Sequence, residues 1–396
     1  MCRQQFTVIG ISDSRHLELP RQVFDIIGTS TVFSGGRRHH EIVAHLLPQK
    51  HEWIEVTVPL SEVYARYKSH SHIVVFASGD PLFYGFGTTL RREFPDAAIK
   101  VYPSFNSLQM LAHRLVLSYQ DMVNVSVTGR PWKGLDDSLI AGHSLIGVLT
   151  DRRKGPAEIA ARMLRYGYDN YTITVGESLG NDEMERVSGP LQLSEACDRE
   201  WSYPNCLLLR QTTPRPHRLG LPEGEFHHLD GREKMITKMP IRLLSLSMLD
   251  LGQRHTLWDI GFCTGSVSIE ARRQFPHLDI IAFERREECR ELLQLNCERH
   301  GAPDITGIIG DFFEADLSAC PQPDTVFIGG HGGRLPEMLT RIYSVMQPGG
   351  VIVFNSVSPE TCLAFEQSVR ALGHTVTERH TITLDTHNPI TILKAI

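Results

Sequence analysis

The chain has 396 residues, 41% of them hydrophobic and 22% charged, with a formal net charge of -6 at pH 7. That length is too great for one compact core and suits two domains, and the acidic balance gives no electrostatic footprint for nucleic acid. The 8 cysteines, among them Cys2, Cys197, Cys263 and Cys362, contain no C-x-x-C pair, so neither a zinc site nor a disulfide framework is indicated.

The apolar run from Phe6 to Ile11 is too short for a signal-peptide core or a membrane span, which leads us to expect a cytoplasmic chain with reduced thiols. In the first half, "FTVIGI", "HIVVFA" and "HSLIGVL" alternate with amphipathic stretches such as "GPAEIAARMLRYGY", which indicates an α/β domain. The stretch "SGDPLFYG" reads as a strand-to-helix joint: Gly79 ends the strand, Asp80 caps a helix, and Pro81 takes its first position. From Gln211 to His228, prolines, glycines and polar residues replace the periodic pattern, and the linker is placed there: a domain over 1–211, a linker over 212–228 and a second domain over 229–396. In that second half "TLWDI", "DIIAFE", "ITGIIG", "TVFIGG" and "VIVFN" are short buried strands separated by helical patterns, the mark of a parallel doubly wound, Rossmann-like sheet. "PITILKAI" closes the chain as one more strand.

The stretch "WDIGFCTGSVSIEA", Trp258 to Ala271, carries the most chemistry. Gly261 and Gly265 allow a sharp turn after the strand, Asp259 braces it, and a helix opening near Ser266 offers unpaired N–H groups. A dinucleotide fingerprint laid on Gly261 requires glycine at 263 and 266; Cys263 and Ser266 stand there, which argues against a buried pyrophosphate. The remaining D-x-G-x-x-x-G pattern suits S-adenosylmethionine, with the Cys263 side chain facing away. Glu284 lies about 20 residues past the turn, where an acid grips ribose hydroxyls, and Gly310 and Asp311 end the next strand as an adenine contact. Each feature alone is ordinary α/β connection chemistry, and Glu284 beside Arg285 and Arg286 could be a solvated charge. Three at successive strand ends, on the edge where open sheets bind ligands, make a cofactor cradle the better reading. "IGGHGGRLPEM" then brings glycines and His331 to the same edge, where His331 is either a surface histidine or a catalytic one.

Through "MITKMPIRLLSLSML", "WDIGFCTGSVSIEA" and "GGHGG" the second half resembles the decarboxylating methyltransferases of cobalamin biosynthesis. Through "ASGDPLFYG", "YPSFNSLQMLAHRL", "VTGRPW" and "VGESLGNDEMERV" the first half resembles the tetrapyrrole methylase family. In this order the two are similar to the fused precorrin-6Y methyltransferases, which methylate carbons 5 and 15 and decarboxylate an acetate arm. The resemblance implies an S-adenosylmethionine-dependent C-methyltransferase without a metal, acting on a small-molecule tetrapyrrole, with or without cobalt, rather than on a membrane or nucleic acid, and assembled as a homo-oligomer. It assigns Gly79, Asp80 and Ser107 to the cofactor in the first domain, Lys238 and His331 to the decarboxylation, and Arg242 and Arg334 to the carboxylate rim of the substrate. It departs from the family at Cys263 and in the loop "GISDSRH", Gly10 to His16. The rival readings are another acceptor, RNA or protein, and a cofactor-binding sensor without catalysis.

Overall fold

A computed structural model describes residues 4–14, 16–385 and 388–396; Cys2, and Arg15 of the Gly10 to His16 loop, lie outside them. The chain forms two compact units. The first comprises Met1–Pro131, His143–Ala161 and Asn170–Thr213; the second comprises Trp132–Gly142, Arg162–Asp169 and Pro214–Ile396.

The first unit holds two five-stranded sheets. One contains β1 (Gln5–Ile11), β2 (Val32–Gly35), β3 (Glu52–Glu55), β4 (His72–Ser78) and β5 (Ala98–Tyr102), ordered β3-β2-β4-β1-β5. All its pairings are parallel, which explains why β1 and β4 are near-continuous apolar runs, covered on both faces. The other contains β6 (Val123–Ser126), β7 (Leu145–Leu149), β8 (Tyr171–Glu177), β9 (Arg186–Gln192) and β10 (Asn205–Gln211), ordered β6-β7-β10-β8-β9, and is mostly antiparallel. The joint after β4 differs from the expected one. Asp80 Oδ1 accepts from Leu82 N at 2.8 Å in a tight turn, and Gly87 N donates to the Pro81 carbonyl at 2.9 Å. The helix therefore starts at Phe86, with Gly85 rather than Asp80 as its cap.

The second unit is built on one seven-stranded sheet: β11 (Thr256–Ile260), β12 (Asp279–Glu284), β13 (Ile305–Ile309), β14 (Thr325–Ile328), β15 (Val351–Ser356), β16 (Val376–Ile382) and β17 (Ile390–Ala395). The order is β13-β12-β11-β14-β15-β17-β16, parallel from β13 to β15, with β17 and β16 antiparallel. The order reverses beside β11, the switch point at which open sheets leave a crevice for a ligand. Trp258, fully buried, anchors the core on one face with Phe283, Phe354 and Phe365. Its Nε1 donates to the Pro321 carbonyl at 3.1 Å, so the indole is buried without an unmet donor.

The segment read as a linker is fastened to this unit. Gly220 N and Leu221 N donate to the Glu270 carboxylate at 2.9 and 3.0 Å, and Leu221 and Phe226 are buried. Arg242, expected at the substrate rim, is instead fully buried: its Nε lies 3.3 Å from Glu270, and its other nitrogens donate to the carbonyls of Thr237 and Leu221. It ties the segment and the helix Met239–Met248 to the helix Ser266–Gln274. A buried ion pair broken on one side leaves an uncompensated charge, at about 3–5 kcal/mol. Glu270→Ala is expected to lower the free energy of unfolding by at least that amount in urea titration, and Glu270→Leu combined with Arg242→Met to recover only part of it, because Gly220 N and Leu221 N still lose their acceptor.

Candidate functional sites

In the second unit the carboxyl ends of β11, β12, β13 and β14 meet through backbone contacts. Gly261 N donates to the Phe283 carbonyl at 2.8 Å, Gly310 N to Glu284 at 2.9 Å, and Gly329 N to Ile260 at 2.9 Å. Gly261 has φ +81, and a Cβ added there would come within 2.7 Å of Gly330 N. The turn is thus backbone packed on backbone, with no room for a side chain. Gly265 precedes the helix that opens at Ser266. Cys263 holds φ +48, and its buried side chain packs among Ile269, Cys289 and Leu293.

Two carboxylates fix this turn. Asp259 Oδ2 accepts from Ser268 N at 3.2 Å and from Ser268 Oγ at 2.6 Å. Its Oδ1 is buried without a hydrogen-bond partner, as is Thr264 Oγ1. Burial pushes the Asp259 carboxyl up from 3.8 to about 6. Glu284, 5% exposed, accepts at Oε1 from the N–H groups of Arg285 and Arg286 and from the Arg286 guanidinium, and at Oε2 from Cys263 N at 3.2 Å. Glu284 is therefore part of the turn and no solvated charge. Asp311 is exposed and accepts from Phe313 N at 2.9 Å.

A cavity of about 500 Å³ adjoins the turn, lined by Lys234, Lys238, Gly261, Cys263, Gly329 and Asn355 among others. Lys238 thus reaches the cradle, while His331 does not line this cavity. His331 Nδ1 accepts from Gly333 N at 3.2 Å, so the ring proton sits on Nε2, and burial holds its pKa below the usual histidine value. Arg334 is paired with Glu337 and lies 3.7 Å from the centre of the Phe313 ring. Lys234 and Asn355 escaped the sequence reading. Lys234 stands four residues before Lys238 in a basic run, a usable signal, whereas Asn355 is one polar residue at the end of an apolar strand.

In the first unit a cavity of about 430 Å³ is lined by Gly79, Ser107, Phe105, Tyr84, Arg38 and Ser78 among others. Gly79 has φ +60, and a Cβ there would lie 2.8 Å from Asn106 Cα, so the β4 end passes directly under the loop before the helix Ser107–Arg114. Asp80 lies in a neighbouring groove with Gly10, Ser14 and His16. Phe105 and Tyr84 are 58% and 42% exposed, unusual for large aromatic rings and suited to a flat apolar ligand. Among the described residues no group of three His, Cys, Asp or Glu side chains could hold a metal ion, and no helix is long and apolar enough to cross a membrane.

Residues 5–194 match the family Tetrapyrrole (Corrin/Porphyrin) Methylases, and residues 226–393 match the Precorrin methyltransferase domain. The chain is 32% identical over 356 residues to a precorrin-6Y C(5,15)-methyltransferase [decarboxylating] of a Sinorhizobium species, covering 89% of this chain and 85% of that protein. A cobalt-precorrin-6B C(15)-methyltransferase (decarboxylating) of Salmonella typhimurium is 37% identical over 33% of this chain and 67% of its own length. A cobalt-precorrin-7 C(5)-methyltransferase of the same organism is 31% identical over 46% of this chain and 88% of its own length.

The raised Asp259 carboxyl gives a signed expectation. A folded-state pKa of about 6 against 3.8 means that the folded protein binds the extra proton between those values. The Asp259 contribution to stability is therefore complete below pH 3.8 and is lost as pH rises through about 6. Asp259→Asn, which retains an acceptor for Ser268, is expected to remove that decline when urea stability is measured across this window.

Proposed function

Because the chain belongs to the family of decarboxylating precorrin-6Y C(5,15)-methyltransferases, we propose that it methylates carbons 5 and 15 of precorrin-6Y, or of its cobalt form, and releases an acetate carboxylate as carbon dioxide, at two sites, one in each unit. The observation that carries the two-site reading is the pair of separate cavities, each built at the carboxyl ends of parallel strands within one unit. The second unit takes carbon 15 and the decarboxylation, and the first takes carbon 5. The names of the two shorter relatives place carbon 15 on a 6B precursor and carbon 5 on a 7 precursor, which supports the same order here.

The residues present fit S-adenosylmethionine. The Gly261 turn leaves a bare backbone surface, and Asp259 Oδ1 and Thr264 Oγ1 are buried polar atoms awaiting a partner. Glu284 has three donors on Oε1 and one on Oε2, so its spare capacity for a ribose hydroxyl lies on Oε2, not on both oxygens. Gly310 and Asp311, at the end of the next strand, would hold the adenine; Gly79 and Ser107 would hold the cofactor of the first-unit cavity, with Asp80 reaching it from the neighbouring groove. When bound, the cofactor supplies a methyl group made electrophilic by its sulfonium. The electron-rich macrocycle is itself the nucleophile, so the protein's part is alignment and exclusion of water.

For the decarboxylation, the bond from the acetate methylene to its carboxylate breaks and the electron pair passes into the conjugated ring, which takes up a proton. Lys238, on the cavity wall with Lys234, supplies the cation that stabilises this charge and the proton that ends it. His331, with its proton on Nε2 and its pKa lowered by burial, lies outside the cavity wall and is left out of the proton transfer.

A hydrogen bond to a charged group is worth about 1.5–3 kcal/mol. Glu284→Ala is therefore expected to raise the KM for S-adenosylmethionine in carbon dioxide release by at least about 10-fold. Cys263→Gly, which relieves a left-handed backbone, should leave it within about 2-fold. An unchanged KM in the Glu284 variant removes the cradle assignment. Lys238→Met should abolish carbon dioxide release with cofactor binding intact.

A further inference from the structure

The first-unit cavity contains a polar chain that the methyl transfer itself does not require. His39 is held in one tautomer: its Nδ1 accepts from Gly36 N at 3.2 Å, so the ring proton is on Nε2. Nε2 lies 2.9 Å from Ser78 Oγ and must donate to it. Arg38 donates to the same oxygen at 3.0 Å. Burial, with Arg38 adding repulsion, holds the His39 pKa down to about 4, so the ring stays neutral and the tautomer persists at pH 7. A hydroxyl has two acceptor positions and one proton. With both acceptor positions filled, the Ser78 hydroxyl can only donate, and Ser78 is exposed on the cavity wall at the end of β4.

We propose that Ser78 and Arg38 form a carboxylate-binding subsite at the mouth of the first-unit cavity, with His39 as the positioning residue that fixes the direction of the Ser78 hydroxyl, and that it holds a peripheral carboxylate of the tetrapyrrole.

Donation into an acceptor-only group, beside a guanidinium, is the arrangement that selects a carboxylate over a neutral arm. Asp13, 3.5 Å from Arg38 Nε, orients the guanidinium along the same edge that reaches Ser78. The side chain of Arg38 is 42% exposed, so the subsite sits where side arms of a bound ring emerge rather than where a buried cofactor lies. The inference rests on the first unit being the carbon-5 site.

The test uses the full chain and the singly methylated, decarboxylated intermediate, with initial rates of carbon-5 methylation followed by product mass. Ser78→Ala is expected to raise the KM for the tetrapyrrole about 10-fold or more with kcat within about 2-fold. Ser78→Thr, which restores the hydroxyl, should return KM to within about 3-fold of the unmodified chain, and His39→Phe should resemble Ser78→Ala. Titration with S-adenosylhomocysteine should give the same affinity for all of them. An unchanged tetrapyrrole KM in Ser78→Ala, or a loss that appears as weaker S-adenosylhomocysteine binding, overturns the subsite, the latter because the carboxylate held is then the cofactor's. If the unmodified chain itself does not methylate carbon 5, the functional reading fails and the subsite with it.

Discussion

Backbone packed against backbone at the ends of parallel strands is the constraint on which both sites depend. At Gly261 the chain turns so close to Gly330 that a single added carbon has no place, and at Gly79 the same is true against Asn106. Such contacts leave N–H and carbonyl groups facing a crevice with no side chain between them and a ligand, which is what close approach of a cofactor requires. Everything else in the second site is arranged to keep that turn in place: Asp259 grips the helix start through Ser268, and Glu284 reaches back to Cys263 N. The carboxylates are thus structural before any ligand arrives, and part of each remains available to one.

The two histidines of interest share a device. In each, a backbone N–H three or fewer residues away occupies Nδ1 and so fixes the proton on Nε2, while burial keeps the ring uncharged. A neutral ring with a fixed proton is a directional donor, not an acid. In the first unit that direction is passed through Ser78 into the cavity. In the second, the decarboxylation proposed above assigns proton delivery to Lys238 on the cavity wall.

The features legible in the sequence were those encoded by short spacing. The strand, turn and helix from Trp258 to Ala271, the acid at Glu284, and the five parallel strands of the second sheet all follow from local apolar runs and glycine positions. Residues that matter through a partner distant in sequence did not show themselves. Arg242 on an amphipathic helix reads as a surface cation until Glu270 and Leu221 are brought against it. Ser78, at the end of β4, and His39, in the helix Arg37–Val43 after β2, are 39 residues apart. β16 was missed because "VTERHTI" carries charges along most of its length; it is held as an edge by antiparallel pairing with β17. Asp80 has the composition of a helix cap, yet the chain turns back over Pro81 before the helix begins.

The central claim is that each unit carries its own site, with carbon 15 and the decarboxylation in the second and carbon 5 in the first. Gly79→Ala places a carbon against Asn106 and so closes only the first cradle. Mass analysis of the product from precorrin-6Y, with evolved carbon dioxide counted, is the direct test. The account predicts one methyl group gained and one carbon dioxide lost. A doubly methylated product, or no methyl transfer and no carbon dioxide from a folded protein, would contradict it.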